Sequence, residues 1–138
     1  MRDIKMERPT VQENHNHGGR CGLYSCPEVS MFTDILLAEL EERSAVLLRG
    51  GGSGNSSKEP HNYTAYHSAG RDIADIGAVV LADWFDSKGT TAGLRSIAQR
   101  LCNALMTLEC GIGLCPDRTQ WKPPMRTMRM LAGFSEKN

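Results

Sequence analysis

The sequence predicts an all-α fold of three main helices and a short C-terminal helix, with irregular cysteine-containing segments at both ends. Apolar residues recur every three or four positions through much of the chain, which is the spacing of a buried helix face. Proline, glycine and threonine stand where these stripes begin and end, as they do at helix boundaries. No convincing alternation of apolar and polar residues indicates a half-buried strand.

The first helix is predicted to begin near Pro27, because the missing N–H of proline costs nothing in the first helical turn. Glu28 adds favourable negative charge at the same end. The helix should end at Arg49, since a run of glycine and serine follows. Its apolar stripe consists of Phe32, Ile35, Leu36, Leu40 and Leu47. Four charged residues lie off that stripe, namely Glu39, Glu41, Glu42 and Arg43.

The second helix is predicted to start at Ser68, a plausible N-cap, and to end at the turn over residues 86–89. Gly77 in its middle suggests a close approach to another helix, because glycine otherwise costs about 1 kcal/mol there. The residues expected to face inward are Ile73, Ile76, Val80, Leu81 and Trp84. The residues expected to face outward are Asp72, Asp75 and Asp83.

The third helix should be capped by Thr90 or Thr91 and carries the clearest apolar stripe of the chain. Cys102, next to that stripe, is expected in the core. The last helix is placed between Met125 and Phe134, after the Pro123-Pro124 break. The stripe of the third helix consists of Leu94, Ile97, Leu101, Leu105 and Leu108.

A chain of 138 residues is the size of one domain. Residues 1–20 are polar and are interpreted as a flexible arm, and residues 21–138 as a single helical domain. Within it, residues 50–59 form a glycine- and serine-rich stretch that is interpreted as a flexible loop. Phosphate binding or an artificial linker are the alternatives. A phosphate-binding loop needs lysine followed by serine or threonine after a strand, whereas Lys58 precedes Glu59.

The charge balance disfavours whole-surface attraction to nucleic acid or anionic membranes, because sixteen basic and sixteen acidic residues cancel and the pI is about 6.9. The N-terminus has no apolar stretch resembling a signal peptide. No apolar run is long enough for a membrane-spanning helix. The sequence therefore predicts a cytoplasmic protein without a membrane partner, whose thiols stay reduced.

Two segments of the form Cys-Gly-apolar-x-x-Cys-Pro-acidic hold four of the five cysteines. If the ends of the first and third helices meet, these thiols could bind one zinc ion tetrahedrally and stabilise a small core. His15 and His17 offer a variant of this site. Reduced, partly buried thiols and disulfides are the alternatives. The predicted metal ligands are Cys21, Cys26, Cys110 and Cys115.

An aromatic and histidine cluster beside the glycine-rich loop is the best candidate for small-molecule contact. Its rings could stack on a base, and loop amides could hold phosphate. No nucleophile, base and orienting group stand in a recognisable catalytic pattern. The predicted nucleotide-binding residues are His61, Tyr63, Tyr66, His67 and Arg71.

The function that the sequence favours is a small non-catalytic binding or regulatory protein, acting through protein contacts or self-association as a homo-oligomer. Nucleotide binding or phosphate chemistry is the alternative. A weaker one is DNA binding by a helix-turn-helix formed by the second and third helices, with Arg95, Gln99 and Arg100 in the groove. Neutral net charge makes a nucleic-acid partner the least favoured.

Overall fold

The computed structural model describes residues 25–50 and 59–137, which form four helices and one short 3-10 turn. The predicted arm over residues 1–20 lies outside this part of the chain, as does most of the predicted loop over residues 50–59. No strand occurs in the described residues, so the prediction of an all-α fold is confirmed. The elements are α1 (Pro27–Gly50), α2 (Glu59–Asp86), α3 (Thr91–Gly111), the 3-10 turn (Arg118–Gln120) and α4 (Met125–Lys137).

Helices α1 and α2 pack side by side in opposite directions. Near one end, the hydroxyl of Tyr63 donates to Glu41 Oε2 over 3.1 Å. Towards the other end, Gly77 lies against Phe32, and a Cβ added to this glycine would lie 3.2 Å from Phe32 Cζ. Residue numbers therefore rise along α1 as they fall along α2. The predicted close helix approach at Gly77 is present, and its contact is with α1.

Helices α2 and α3 also pack antiparallel, with contacts along α2 from Tyr66 to Trp84. Trp84 Nε1 donates to Thr90 O over 2.8 Å at the connecting turn. At the far end, the hydroxyl of Tyr66 donates to Glu109 Oε2 over 2.5 Å. A helix-turn-helix crosses its two helices at a steep angle. The α2–α3 pair is instead an ordinary antiparallel helical hairpin.

Helix α4 completes an up-down-up-down arrangement by packing between α1 and α3. The side chains of Thr127 and Glu39 meet at one end of α4, where the Oγ1–Oε1 distance is 2.8 Å. Further along, Cys102 Sγ lies 3.5 Å from Met128 Sδ. With 13 residues against 28 in α2, α4 covers only part of the bundle. The irregular segment between α3 and α4 covers the rest.

Most predicted helix boundaries are confirmed, and one is wrong. Thr90 caps α3, because its side chain accepts from the backbone N–H of Gly93 over 3.0 Å. Ser68 caps nothing: it is an exposed residue inside α2, which begins nine residues earlier at Glu59. Pro60 suits the first turn of that helix. The aromatic residues that follow it pack against α1 and α3, and they extend the helix beyond the stripe seen in the sequence.

Helices α2 and α3 end in the same backbone reversal, a Schellman motif. At the end of α2, Gly89 N donates to Trp84 O over 2.8 Å and Lys88 N to Phe85 O over 3.2 Å. Lys88 takes the left-handed conformation with φ of 53°. At the end of α3, Gly113 holds the equivalent position with φ of 84°. Each helix therefore stops by satisfying its own last carbonyls.

The core fills the space between the four helices with aliphatic and aromatic side chains. One interior assignment was wrong: Ile76 is 64% exposed, while the small residues Ala74 and Ala78 face inward. Helix α2 approaches α1 closely, so alanine and glycine suit its inner face better than a larger side chain. Fully buried members of the core include Val29, Phe32, Leu36, Tyr66, Leu81, Leu105 and Leu131.

Candidate functional site

A buried carboxylate, Glu109, lies at the centre of a polar cluster near the C-terminal end of α3. Arg43 of α1 donates to it twice, from Nε over 2.8 Å and from Nη2 over 2.6 Å. The hydroxyl of Tyr66 and the indole N–H of Trp121 supply two more hydrogen bonds, of 2.5 and 2.7 Å. Arg43 Nη2 also donates to the backbone oxygen of Lys122 over 2.6 Å. We call Arg43, Tyr66, Glu109 and Trp121 the Glu109 cluster.

Electrostatics in the Glu109 cluster favour the charged pair. Burial opposes ionisation of Glu109, but the hydrogen bonds and charge of Arg43 and the hydrogen bond from Tyr66 bring the pKa of Glu109 below its ordinary value. Burial and the hydrogen bond to Glu109 raise the pKa of Tyr66 far above its ordinary value. Since each group already has its partner inside the cluster, this arrangement indicates structural stabilisation rather than acid–base chemistry.

A second buried carboxylate, Glu39, binds the N-terminal end of α4. Its two oxygens accept from the backbone N–H groups of Arg126 and Thr127, both over 3.0 Å. These are N–H groups that a helix cannot satisfy by itself, and a negative charge there also interacts favourably with the helix dipole. Glu39 and the Glu109 cluster thus attach the C-terminal part of the chain to α1 and α3.

The predicted nucleotide-binding residues come together only in part, and their polar atoms contact acidic residues. Tyr66 belongs to the Glu109 cluster, and Tyr63 bonds to Glu41. His67 Nε2 lies 3.3 Å from Ser44 Oγ and 3.5 Å from Glu41 Oε1. Arg71 and His67 line a cavity of about 60 Å³, and the side chain of His61 lies outside the described residues. Carboxylates at these positions repel phosphate, so the contacts give nucleotide binding no support.

The cysteines predicted to bind zinc are not brought together in the part of the chain that the structure describes. Cys26 precedes α1, whereas Cys110 and Cys115 follow the Glu109 cluster beside Arg43, about 24 Å further along α1 by helix rise. Cys26 is disulfide-bonded, and a disulfide sulfur is not the thiolate that zinc binds. Cys21 lies outside the described residues. Among the others, no group of three or more candidate ligands gathers at one point.

Disulfide bonding of Cys26 also corrects the expectation that all thiols are reduced. Cys102, Cys110 and Cys115 remain free. Cys102 is half-buried beside Met128 rather than fully in the core.

An open, mainly apolar groove lies between α2 and α3, with a cavity volume of about 140 Å³. The buried ring of Phe32 of α1 lines the inner side of the groove, next to the small residues Gly77 and Ala104. On its α2 edge, Ile76 is 64% exposed, and the neighbouring Val79 is 56% exposed. The groove is lined by Phe32, Ile73, Ile76, Gly77, Val80, Ile97, Arg100, Leu101 and Ala104.

Charges flank this groove asymmetrically. Asp72 and Asp83 lie on the same exposed side of α2 as Ile76, at spacings of four and seven residues from it. Arg100 stands on the α3 side. Among the described residues, none of these three side chains forms an ion pair or hydrogen bond with a neighbour.

Sequence reasoning missed the buried glutamates, although a signal was present. Glu109 follows Leu101 and Leu105 at the same four-residue interval and so continues the apolar stripe of α3. A charged residue in register with a core stripe indicates a buried, paired charge. Its partner, Arg43, lies off the apolar stripe of α1, and this position alone predicts an outward-facing side chain.

None of the helices in the described residues is both long and apolar enough to cross a membrane. The chain matches no protein-family model. Searches for similar curated proteins and for similar solved structures also found no match.

Proposed function

We propose that the protein is a non-catalytic interaction module that self-associates through the exposed surface of α2 and α3. The observation that supports this most is the groove, with Ile76 and Val79 largely exposed beside it. Contiguous apolar surface of this kind, edged by polar residues, typically marks a protein-binding site. We call this surface, comprising the groove together with Val79, Asp72 and Asp83, the α2–α3 face.

The charges of the α2–α3 face suit a second copy of the chain. Symmetric dimers use one surface twice, so this surface must complement itself. A two-fold axis parallel to the helices places α2 of each copy over α3 of the other. The acidic side, with Asp72 and Asp83, then faces Arg100 of the second copy. An in-plane axis perpendicular to the helices would instead place acid over acid, which electrostatics disfavours.

The register of the hairpin predicts which charges meet. Tyr66 pairs with Glu109 at one end and Trp84 with Thr90 at the other, so Arg100 is level with about residue 75 of α2. In the proposed dimer, Asp72 of the second copy therefore lies about 4 Å along the helix axis from that level. An arginine side chain spans this offset easily.

Solution mass measured over a range of concentrations tests self-association. We expect the natural sequence to show a concentration-dependent dimer by analytical ultracentrifugation. Ile76→Glu places a charge on the α2–α3 face and should give a monomer at every concentration. Val46→Glu is the matched control, because Val46 is a 49% exposed apolar residue of α1, away from this face. A strictly monomeric natural protein, or equal effects of both variants, contradicts the proposal.

A charge exchange tests the proposed orientation. Arg100→Asp creates acid against acid in a homodimer, and Asp72→Arg creates base against base, so each variant alone should dimerise more weakly. An equal mixture forms a heterodimer in which both contacts pair opposite charges, and dimerisation should return. If the mixture dimerises no better than the separate variants, the two-fold axis is placed wrongly.

A further inference from the structure

The turn that ends α3 brings two free cysteines near each other. Cys110 lies in the last helical turn, and the Schellman reversal at Gly113 turns the chain back over it. The backbone N–H groups of Leu114 and Cys115 both donate to Glu109 O, over 2.9 and 3.2 Å. The backbone N–H of Cys115 is therefore hydrogen-bonded to Glu109, the residue that directly precedes Cys110. Both cysteines are half-buried and free.

The electrostatics of this turn agree with the backbone geometry. Burial raises the pKa of the Cys110 thiol, and the charge and hydrogen bond of Cys115 raise it further. The two thiols therefore act on each other electrostatically across the turn. Since four residues separate them, closing a ring costs little chain entropy.

We propose that Cys110 and Cys115 form a dithiol site that closes to an intramolecular disulfide by exchange with a small disulfide such as glutathione disulfide. One thiolate attacks the small disulfide and releases one glutathione thiolate. The second cysteine, after losing its proton, attacks the mixed disulfide at the protein sulfur and releases the other glutathione. The protein gains one S–S bond and loses two protons and two electrons, and two glutathione thiols are formed.

The other copy of the cysteine motif supports this chemistry independently. Cys26 and Cys115 occupy the same position in the two motifs, each before proline and an acidic residue. Cys26 is disulfide-bonded. The cysteine at the position equivalent to Cys115 is therefore already oxidised to a disulfide in this molecule.

The third free cysteine provides an internal control. Cys102 lies eight residues before Cys110 on α3, which corresponds to about 12 Å of helix rise, and it contacts Met128 of α4. This separation excludes a Cys102–Cys110 disulfide while the helix is intact. Cys102 should therefore keep its thiol under conditions that oxidise the other two.

The test equilibrates the full chain in glutathione buffers of increasing oxidation, blocks free thiols with iodoacetamide in urea, and digests with trypsin. Cleavage after Arg100 and Arg118 releases residues 101–118 as one peptide with all three cysteines. As the buffer becomes more oxidising, we expect this peptide to change from three iodoacetamide-blocked thiols to one in a single step. The thiol that is still blocked should be Cys102. Loss of both labels together, without bound glutathione, identifies ring closure.

Cys115→Ser and Cys102→Ser complete the experiment. Cys115→Ser should convert Cys110 to a stable glutathione adduct, because the second attacking thiol is gone. Cys102→Ser should leave ring closure unchanged. Three blocked thiols at every buffer ratio, or stable glutathione adducts on both Cys110 and Cys115 in the natural sequence, would overturn the proposal.

Discussion

Glu109 is a charged residue that occupies a core position because the chain surrounds it with donors. Four hydrogen bonds reach its two oxygens, from Arg43, Tyr66 and Trp121. The guanidinium of Arg43 also lies 5.5 Å from the centre of the Trp121 ring. Removing one member of such a pair leaves a buried charge unpaired. This lowers the free energy of unfolding far more than an exposed ion pair raises it.

We predict that Glu109→Gln lowers the free energy of unfolding by about 3 kcal/mol, measured by urea denaturation. The amide keeps the shape of the side chain but leaves Arg43 without a counter-charge. Glu42→Gln is the control, because the pair of Glu42 and Arg126 is exposed and should contribute far less to the free energy of unfolding. Equal losses in the two variants would contradict a special role for the Glu109 cluster.

At the level of single residues, the sequence predicted the buried apolar side chains better than the buried polar ones. Phe32, Leu36 and Leu105 lie where their spacing placed them. Glu39, by contrast, lies off the apolar stripe of α1, yet it is only 8% exposed. Helical periodicity assigns charged residues to the outer face by default. Glu39 and Glu109 are exceptions because their hydrogen-bond donors, among them Arg43, Tyr66 and Thr127, lie on other helices.

Among the elements, α4 depends most on contacts made outside itself. Its first turn has its backbone N–H groups satisfied by Glu39, a residue of α1. Isolated helices of this length are marginal in water. Docking on α1 and α3 must therefore supply most of its stability.

Glu39→Ala should increase amide hydrogen exchange throughout α4 while leaving α2 protected. The substitution removes a helix cap and leaves two N–H groups without an acceptor, a loss of about 1–2 kcal/mol. Glu41→Ala serves as control, because the polar contacts of the Glu41 carboxylate are with Tyr63 and His67 of α2. Uniform deprotection of all four helices would indicate that α4 does not open separately.

Lys88 and Gly113 predict opposite outcomes for the same kind of substitution. Both hold left-handed positions at a helix end, with φ of 53° and 84°. Lys88→Gly should stabilise the protein by about 0.5–1 kcal/mol, because glycine adopts this conformation without strain. Gly113→Ala should destabilise it by about 1 kcal/mol, although a Cβ there would contact no neighbour. Thermal unfolding of both variants distinguishes conformational strain from crowding.

The number of helices was predictable from the sequence, but the start of α2 was not. Residues 59–67 show no clean apolar stripe, because α1 and α3 bury different sides of that segment. Tyr66 is buried against Glu109 of α3, while Tyr63 bonds to Glu41 of α1. A helix that packs against two neighbours loses the one-sided pattern by which single sequences reveal helices.

At the scale of the whole molecule, the bundle has two chemically different ends. Near the α2–α3 turn, Trp84, Phe85 and Phe134 pack edge to face, with ring centres 5.1 and 5.2 Å apart. The opposite end contains the Glu109 cluster. Each end holds one of the two tryptophans of the chain, Trp84 and Trp121.

We expect acid to open the molecule at the Glu109 end first. The pKa of Glu109 is below 4.5 in the fold and returns to about that value on unfolding. Below about pH 4.5 the unfolded chain therefore binds more protons than the folded chain does. The free energy of unfolding then falls with pH until the pH is below the pKa of Glu109 in the fold. Trp121 fluorescence in Trp84→Phe should change at higher pH than Trp84 fluorescence in Trp121→Phe. Coincident transitions would show that the ends do not respond separately.

The length of the chain and the spacing of its apolar residues predicted four helices. The order of these helices around the core could be determined only from the structure. Antiparallel packing of α2 on α3 follows from the short turn at residues 87–90. The place of α4 between α1 and α3 follows from Glu39 and Met128, which no local pattern connects. The groove arises similarly, from Gly77 and Ala104 on two different helices.

The α2–α3 turn has a consequence for the route by which the chain folds. Trp84 meets Thr90 only six residues away, whereas Tyr66 must find Glu109 across 43 residues. Contacts between near neighbours form before distant ones because they close shorter loops. The hairpin should therefore form first at its tryptophan turn, and the contact between Tyr66 and Glu109 should form last. The end that acid opens first is then also the end that closes last.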